Sequence, residues 1–201
     1  MTSRNQPPFL FFASATLALL LAGIANFLPS ASAGGQSNAG TNEKSLLAFR
    51  AVASVLTSPR CLNCHSSADG PLQGDDNHPH AMNVRRGVDG KGSPALRCFA
   101  CHQSENGKTL HTPPGAADWQ LPPAKTPMAW KGLSMGELCR TVKDPSKNGN
   151  RSLQDLIPHL DTSLVRWAWN PGPGRTTPPL SHDEFVSRLK EWIDTGAACP
   201  E

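Results

Sequence analysis

The chain has 201 residues, of which 38% are hydrophobic, 19 are Pro and 17 are Gly. That composition excludes a protein built from long regular elements, and the conventional core is thin for the length. The formal net charge of +3, with no long basic run, argues against nucleic acid as a partner.

At the N-terminus, Arg4, the apolar run Phe9–Leu21 and the small residues Ala31-Ser32-Ala33 follow the pattern of an export signal. Residues 1–33 are therefore expected to be a signal peptide cleaved after Ala33, and the rest of the chain is expected in the periplasm. The alternative is an uncleaved membrane anchor, since Phe9–Leu28 is nearly long enough to span a bilayer. Association with a membrane is expected only in that case. About 168 residues then remain, enough for one domain or two small ones.

Residues 34–44 are rich in Gly, Ser and Asn and read as a flexible tail. In Ser45–Leu56, Leu46, Leu47, Phe49, Val52, Val55 and Leu56 recur on a helical period, and Pro59 ends the pattern. The helix leads directly into the first of two C-x-x-C-H units and is expected to pack near it. Ser66–Pro94 is punctuated by Gly and Pro throughout. A loop this long in a compact domain is usually functional or held by something. A second Pro-rich run, Pro113–Pro127, follows the second unit. Further on, Ser134-Met135-Gly136-Glu137 has the capping-box pattern, with Leu133 and Leu138 where a hydrophobic staple would sit. Ser152–Leu160 reads as a short helix disturbed by Pro158, and Trp167–Arg175 as a rigid aromatic and Pro/Gly loop. Ser181-His182-Asp183-Glu184 opens a last helix with Phe185, Leu189, Trp192 and Ile193 on one face, stopped by Gly196.

The chemistry rests on Cys61-Leu62-Asn63-Cys64-His65 and Cys98-Phe99-Ala100-Cys101-His102, each with an Arg directly before its first Cys. C-x-x-C-H is the attachment signature of c-type haem. Two thiols on one helical turn reach the two vinyl groups of a porphyrin, and the adjacent His meets the iron from the same side. Cys61 and Cys64 are thus expected to bind one haem with His65 as proximal ligand, and Cys98 and Cys101 a second with His102. A Cys₄ zinc ribbon would use the same thiols but gives no reason for a His after both pairs. A redox disulfide needs a βαβ context that the sequence lacks.

Each iron has a sixth position, for which His or Met is the usual protein ligand. The candidates are His78, His80, His111, His159, His182, Met82, Met128 and Met135. Position in the Pro-bearing loops beside the second motif favours His80 (or His78) on one haem and His111 on the other, with Met128 as the alternative. Cys139 and Cys199 are left over, and in an exported chain they are expected to pair. The five Trp residues are expected to pack rather than to carry electrons.

The doubled motif resembles the dihaem cytochromes c. His78-Pro79-His80-Ala81-Met82, Asp89-Gly90-Lys91 and Arg97–His102 look loosely like the small dihaem subunit of periplasmic nitrate reductase. That family takes both distal ligands from His. This chain departs from it in having no His upstream of Cys61 after the signal, and in its extra C-terminal third. CLNCH, CFACHQ, His111-Thr112-Pro113-Pro114-Gly115 and Trp169–Arg175 resemble small bacterial cytochrome-like proteins labelled isoquinoline 1-oxidoreductase subunits. That resemblance implies an electron link to a molybdenum hydroxylase.

The expected fold is mainly α, a loop-rich dihaem cytochrome c-like domain over residues 45–201. Residues 45–130 would form its haem-binding part and 131–201 a short C-terminal helical section. The expected function is periplasmic electron transfer to or from a partner oxidoreductase or another cytochrome. The alternative is a small dihaem enzyme, a peroxidase or sulfur-compound oxidoreductase, with one open haem site.

Overall fold

A computed structural model of the chain describes residues 33–66 and 69–201, with side chains from residue 38 onward. The predicted signal segment lies outside the described residues, apart from Ala33. The described part is mainly helical: α1 (Ala33–Leu56), α2 (Pro59–Leu62), α3 (Met135–Lys143), α4 (Leu153–His159), α5 (Ser163–Arg166) and α6 (His182–Asp194). Two short antiparallel ribbons accompany them, β1 (Leu72–Gln73) with β2 (His78–Pro79) and β3 (Gly92–Ser93) with β4 (Leu96–Arg97). Among the described residues no helix is long and apolar enough to cross a membrane.

The core is where helical periodicity was strongest. Phe49, Val52 and Val55 of α1 bury one stripe against Phe185, Leu189 and Trp192 of α6, with Leu138 and Val142 of α3 and Leu156 of α4 closing the sides. Phe49 and Trp192 meet with ring centres 5.1 Å apart. Burying such aromatic side chains contributes about 2–3 kcal/mol each.

Three of the helices start on reciprocal capping boxes, Ser134/Glu137, Ser152/Asp155 and Ser181/Glu184, in which hydroxyl and carboxylate satisfy orphan N–H groups. Pro158 falls in the last turn of α4, where few intrahelical bonds remain to be lost. Past the end of α6, Gly196 takes φ +98°, the left-handed conformation that a helix stop needs. The expected disulfide is present: Cys139 on α3 is bonded to Cys199, with Cα atoms 5.5 Å apart. The C-terminal strap is held further where Trp192 Nε1 donates to Ala198 O and Ala198 N donates to Ser45 Oγ, both at 2.9 Å.

One expectation about chain organisation changes. Residues 34–44, read as a flexible tail, lie within α1, whose buried face begins only at Ser45. The described part, Ala33–Glu201, is one compact unit. The helix Ser45–Leu56 packs chiefly on the C-terminal helices, because its apolar stripe is the complement of theirs. It reaches the first motif through its end: Ser58 precedes Pro59, which occupies the first turn of α2, where a missing N–H costs nothing.

The long loop between the motifs is pinned by backbone hydrogen bonds to the second motif and to the loop that follows it. Gly90 accepts from Leu121 N at 2.9 Å and Cys98 N donates to Lys91 O at 3.0 Å. A Cβ on Gly90 would stand 2.1 Å from Leu121 O, at φ +81°, so only glycine allows the two loops to approach.

Candidate functional site

The two C-x-x-C-H units fold alike. In the first, Cys64 N and His65 N both donate to Cys61 O, at 3.1 and 2.9 Å. In the second, Cys101 N and His102 N both donate to Cys98 O, at the same two distances. Each unit is therefore a single helical turn that throws its two thiols and its imidazole to related directions, as the spacing implies. All four thiols are free. Among the described residues no group of three or more His, Cys, Asp or Glu side chains is placed to hold a metal ion.

The likeness extends outward. The Arg before each motif reaches an Asp and a Gly carbonyl. Arg60 bonds Asp75 and Gly74 O, and Arg97 bonds Asp89 at 2.6 Å and Gly92 O at 3.0 Å. Each motif His is held by a carbonyl from the loops that follow the second motif. His65 Nδ1 is 3.0 Å from Met128 O, and His102 Nδ1 is 2.7 Å from Pro114 O. Each imidazole also lies flat on a Trp: His65 on Trp130 at 3.5 Å and 3°, His102 on Trp119 at 4.5 Å and 7° between planes.

These contacts set the chemistry of the rings. A carbonyl can only accept, so Nδ1 must carry the proton, and in a neutral imidazole Nε2 then holds a lone pair. Both rings are held neutral. Burial pushes the His65 pKa down to about 4 against a partly opposing bond to Met128 O, with Arg86 and Arg151 adding positive potential. Burial likewise lowers His102. A neutral ring locked by Nδ1–H to a carbonyl and presenting Nε2 is the arrangement of a metal-ligating histidine.

A cleft of about 580 Å³ opens beside the motifs. It is lined by Cys98, Cys101 and His102 of the second unit and by Cys64 of the first, together with His78, His80 and His111. Cys61 and His65 do not line it, and burial pushes the thiols of Cys61 and Cys64 up to about 12 and about 11. The volume and the mostly apolar wall suit a cofactor of several rings. The donor set, two thiols and one neutral imidazole per helical turn, fits covalently attached haem, most directly at the second motif.

The histidines outside the motifs sort by which nitrogen is free. His80 Nδ1 bonds Ala81 O at 2.8 Å, leaving Nε2 available, and its ring stands 6.1 Å from that of His102 at 62°. His111 lines the cleft in an exposed loop at φ +65°. His78 Nδ1 is tied to Asp76 at 2.6 Å. His182 spends its Nε2 on Leu160 O at 3.0 Å and lies edge-on to Trp169. Met128 does not line the cleft. Its carbonyl holds His65, and its methyl lies near Gly149.

The Trp stacks and the two acceptor carbonyls were not legible from sequence. Trp130 and Trp119 stand at unrelated distances along the chain from His65 and His102, so no spacing marked them. The paired Arg residues were visible, but their Asp partners were not. Comparison with protein-family models, curated proteins and solved structures finds no match for this chain.

Proposed function

We propose that this chain is an exported electron-transfer protein carrying two covalently bound c-type haems. One would be attached through Cys61 and Cys64 with His65 as proximal ligand, the other through Cys98 and Cys101 with His102. The observation that carries this reading is the repeated geometry. Two motif histidines, far apart in the chain, each have Nδ1–H on a backbone carbonyl, a flat Trp on one face and a free Nε2. Zinc ribbons and redox disulfides require neither feature.

The bound irons would supply one-electron chemistry. The chain's part is to position and insulate. Met128 O and Pro114 O fix the two tautomers, Trp130 and Trp119 fix the ring planes, and burial keeps both imidazoles neutral. His80 would supply the second ligand to the iron held by His102, its ring centre standing 6.1 Å from that of His102, and His111 would serve the other iron, since His78, which also lines the cleft, is tied to Asp76. With a sixth ligand on each iron, a carrier is favoured over an enzyme. The partner is a second redox protein, either a molybdenum hydroxylase or another cytochrome.

The test is the mass and haem stain of the protein exported by a host with haem-attachment machinery. The expected mass exceeds the polypeptide by two haems, and both survive denaturing gels. Replacing Cys98 and Cys101 by Ala removes one haem and leaves the other. A folded, exported chain without covalent haem rejects the reading.

A further inference from the structure

The wall of the cleft carries more positive charge than its own carboxylates balance. Arg97 is matched by Asp89. Arg60 and Arg175 also line the cleft, whose one lining carboxylate, Asp75, pairs with Arg60. Arg60 is 4% exposed; its Nη2 bonds Asp75 and Gly74 O, while its Nε is buried and donates to nothing. Arg175 is half-buried and bonds only carbonyls, those of Pro171, Pro173 and Thr112. The second oxygen of Asp75 is taken by Thr176 N at 3.1 Å, directly beside Arg175. Burial lowers the Arg175 pKa, and the nearby charge of Arg60 lowers it further.

Two guanidinium groups held near one another in a partly desolvated wall repel, and carbonyl dipoles do not neutralise them. The fork of a guanidinium matches a carboxylate or oxyanion in two parallel bonds. We propose that Arg60 and Arg175, bracketing Asp75, form an anion clamp that receives a carboxylate or small oxyanion inside the cleft. Two sources carry that chemistry: a carboxylate side chain of the haem itself, or a free oxyanion entering beside it. The first source rests on the dihaem reading; the second does not.

The experiment uses the exported, full-length holoprotein as wild type, Arg175→Gln and Arg60→Lys, with inorganic phosphate as the probe. Haem content, the midpoint potential of each haem and phosphate binding are measured together. If the clamp holds a haem carboxylate, Arg175→Gln keeps both haems and lowers one potential, since losing a positive charge favours the ferric state. The shift corresponds to about threefold or more in the reduction equilibrium, with or without phosphate. If the clamp holds a free oxyanion, phosphate shifts the wild-type spectrum or potential saturably, and Arg175→Gln weakens that binding by about tenfold. Arg60→Lys keeps the charge but loses the fork, and gives a smaller change in the same direction. Should Arg175→Gln fail to mature, Arg175→Lys is read by the same two measurements. Unchanged potentials in Arg175→Gln together with no phosphate effect on wild type overturn the clamp. A chain that lacks haem yet binds phosphate through Arg175 overturns the dihaem reading and leaves the clamp standing.

Discussion

The imidazole of His80 stands edge-on to that of His102, with ring centres 6.1 Å apart and 62° between planes, and each ring has its Nδ1 bound to a backbone carbonyl. That separation is what two metal–nitrogen bonds of roughly 2 Å, plus the half-width of each ring, would span. The geometry is set without metal: the β1–β2 ribbon carries His78-Pro79, His80 N donates to Pro71 O at 3.2 Å, and Ala81 N donates to Gln73 Oε1 at 2.9 Å. Those bonds hold the backbone on both sides of His80.

From this relationship His80→Ala is expected to convert one haem of the loaded protein from low-spin to high-spin and to let it bind cyanide. The other haem keeps its spectrum. Because His80 is only half-buried, stability changes by no more than about 1 kcal/mol. Electron paramagnetic resonance of the oxidised variant decides it: two unchanged low-spin signals reject His80 as a ligand.

His111→Ala is expected to open the remaining haem, giving a second, independent high-spin signal in the double variant with His80. Met128→Ala is expected to leave both irons low-spin, since Met128 meets His65 through its carbonyl, which the substitution keeps. If wild-type protein already has one high-spin haem that reacts with peroxide, and His111→Ala alters nothing, the enzyme alternative replaces the carrier.

The elements legible in the sequence were those with local causes. Ser134 and Ser181 each announce a helix start through a Glu three residues on, and Phe185, Leu189 and Trp192 announce the buried face of the last helix. Cys139 and Cys199 were paired by elimination. What was hidden depends on contacts distant in the chain. Nothing near His65 predicts that Met128 O and Trp130 will meet it, and nothing near Arg60 predicts Asp75 or Arg175. The same applies to residues 34–44: their weak propensity suggested a tail, while their continuation from the buried stripe of α1 keeps them helical. His159, one of the candidate ligands, is half-buried at the end of α4 and does not line the cleft.

Breaking the Cys139–Cys199 bond is expected to cost about 4 kcal/mol, because it closes a loop of 60 residues in the unfolded chain. The Cys139→Ser, Cys199→Ser double variant is expected to unfold at lower denaturant concentration while keeping two haems per chain. The proposed haem ligands lie on other segments, so the absorption spectrum is expected to hold. Loss of haem attachment in this variant would instead mean that the strap forms before the haem sites.

Acid sensitivity is expected in two stages, and His159 accounts for part of the first. Burial, with Arg151 close by, lowers its pKa from 6.5 to about 4. The folded state therefore keeps this ring neutral where the unfolded chain protonates it. The stability it contributes is fully present above pH 6.5, declines as pH falls from 6.5 to about 4, and is constant below that. The ceiling is about 3 kcal/mol at about 1.4 kcal/mol per pKa unit, and solvent screening of a half-buried ring reduces it to about 1 kcal/mol. The second stage belongs to the capping carboxylates. Glu137, Asp155 and Glu184 have pKa values lowered by their hydrogen bonds to Ser134, Ser152 and Ser181. Their contribution is present above the ordinary carboxylate range and is lost as pH falls through their lowered values. Denaturant unfolding of the holoprotein at pH 7, 5.5 and 4 separates the stages. His159→Gln is expected to flatten the slope between the first two points without touching the acid limb. An unchanged slope would assign that loss of stability to another group.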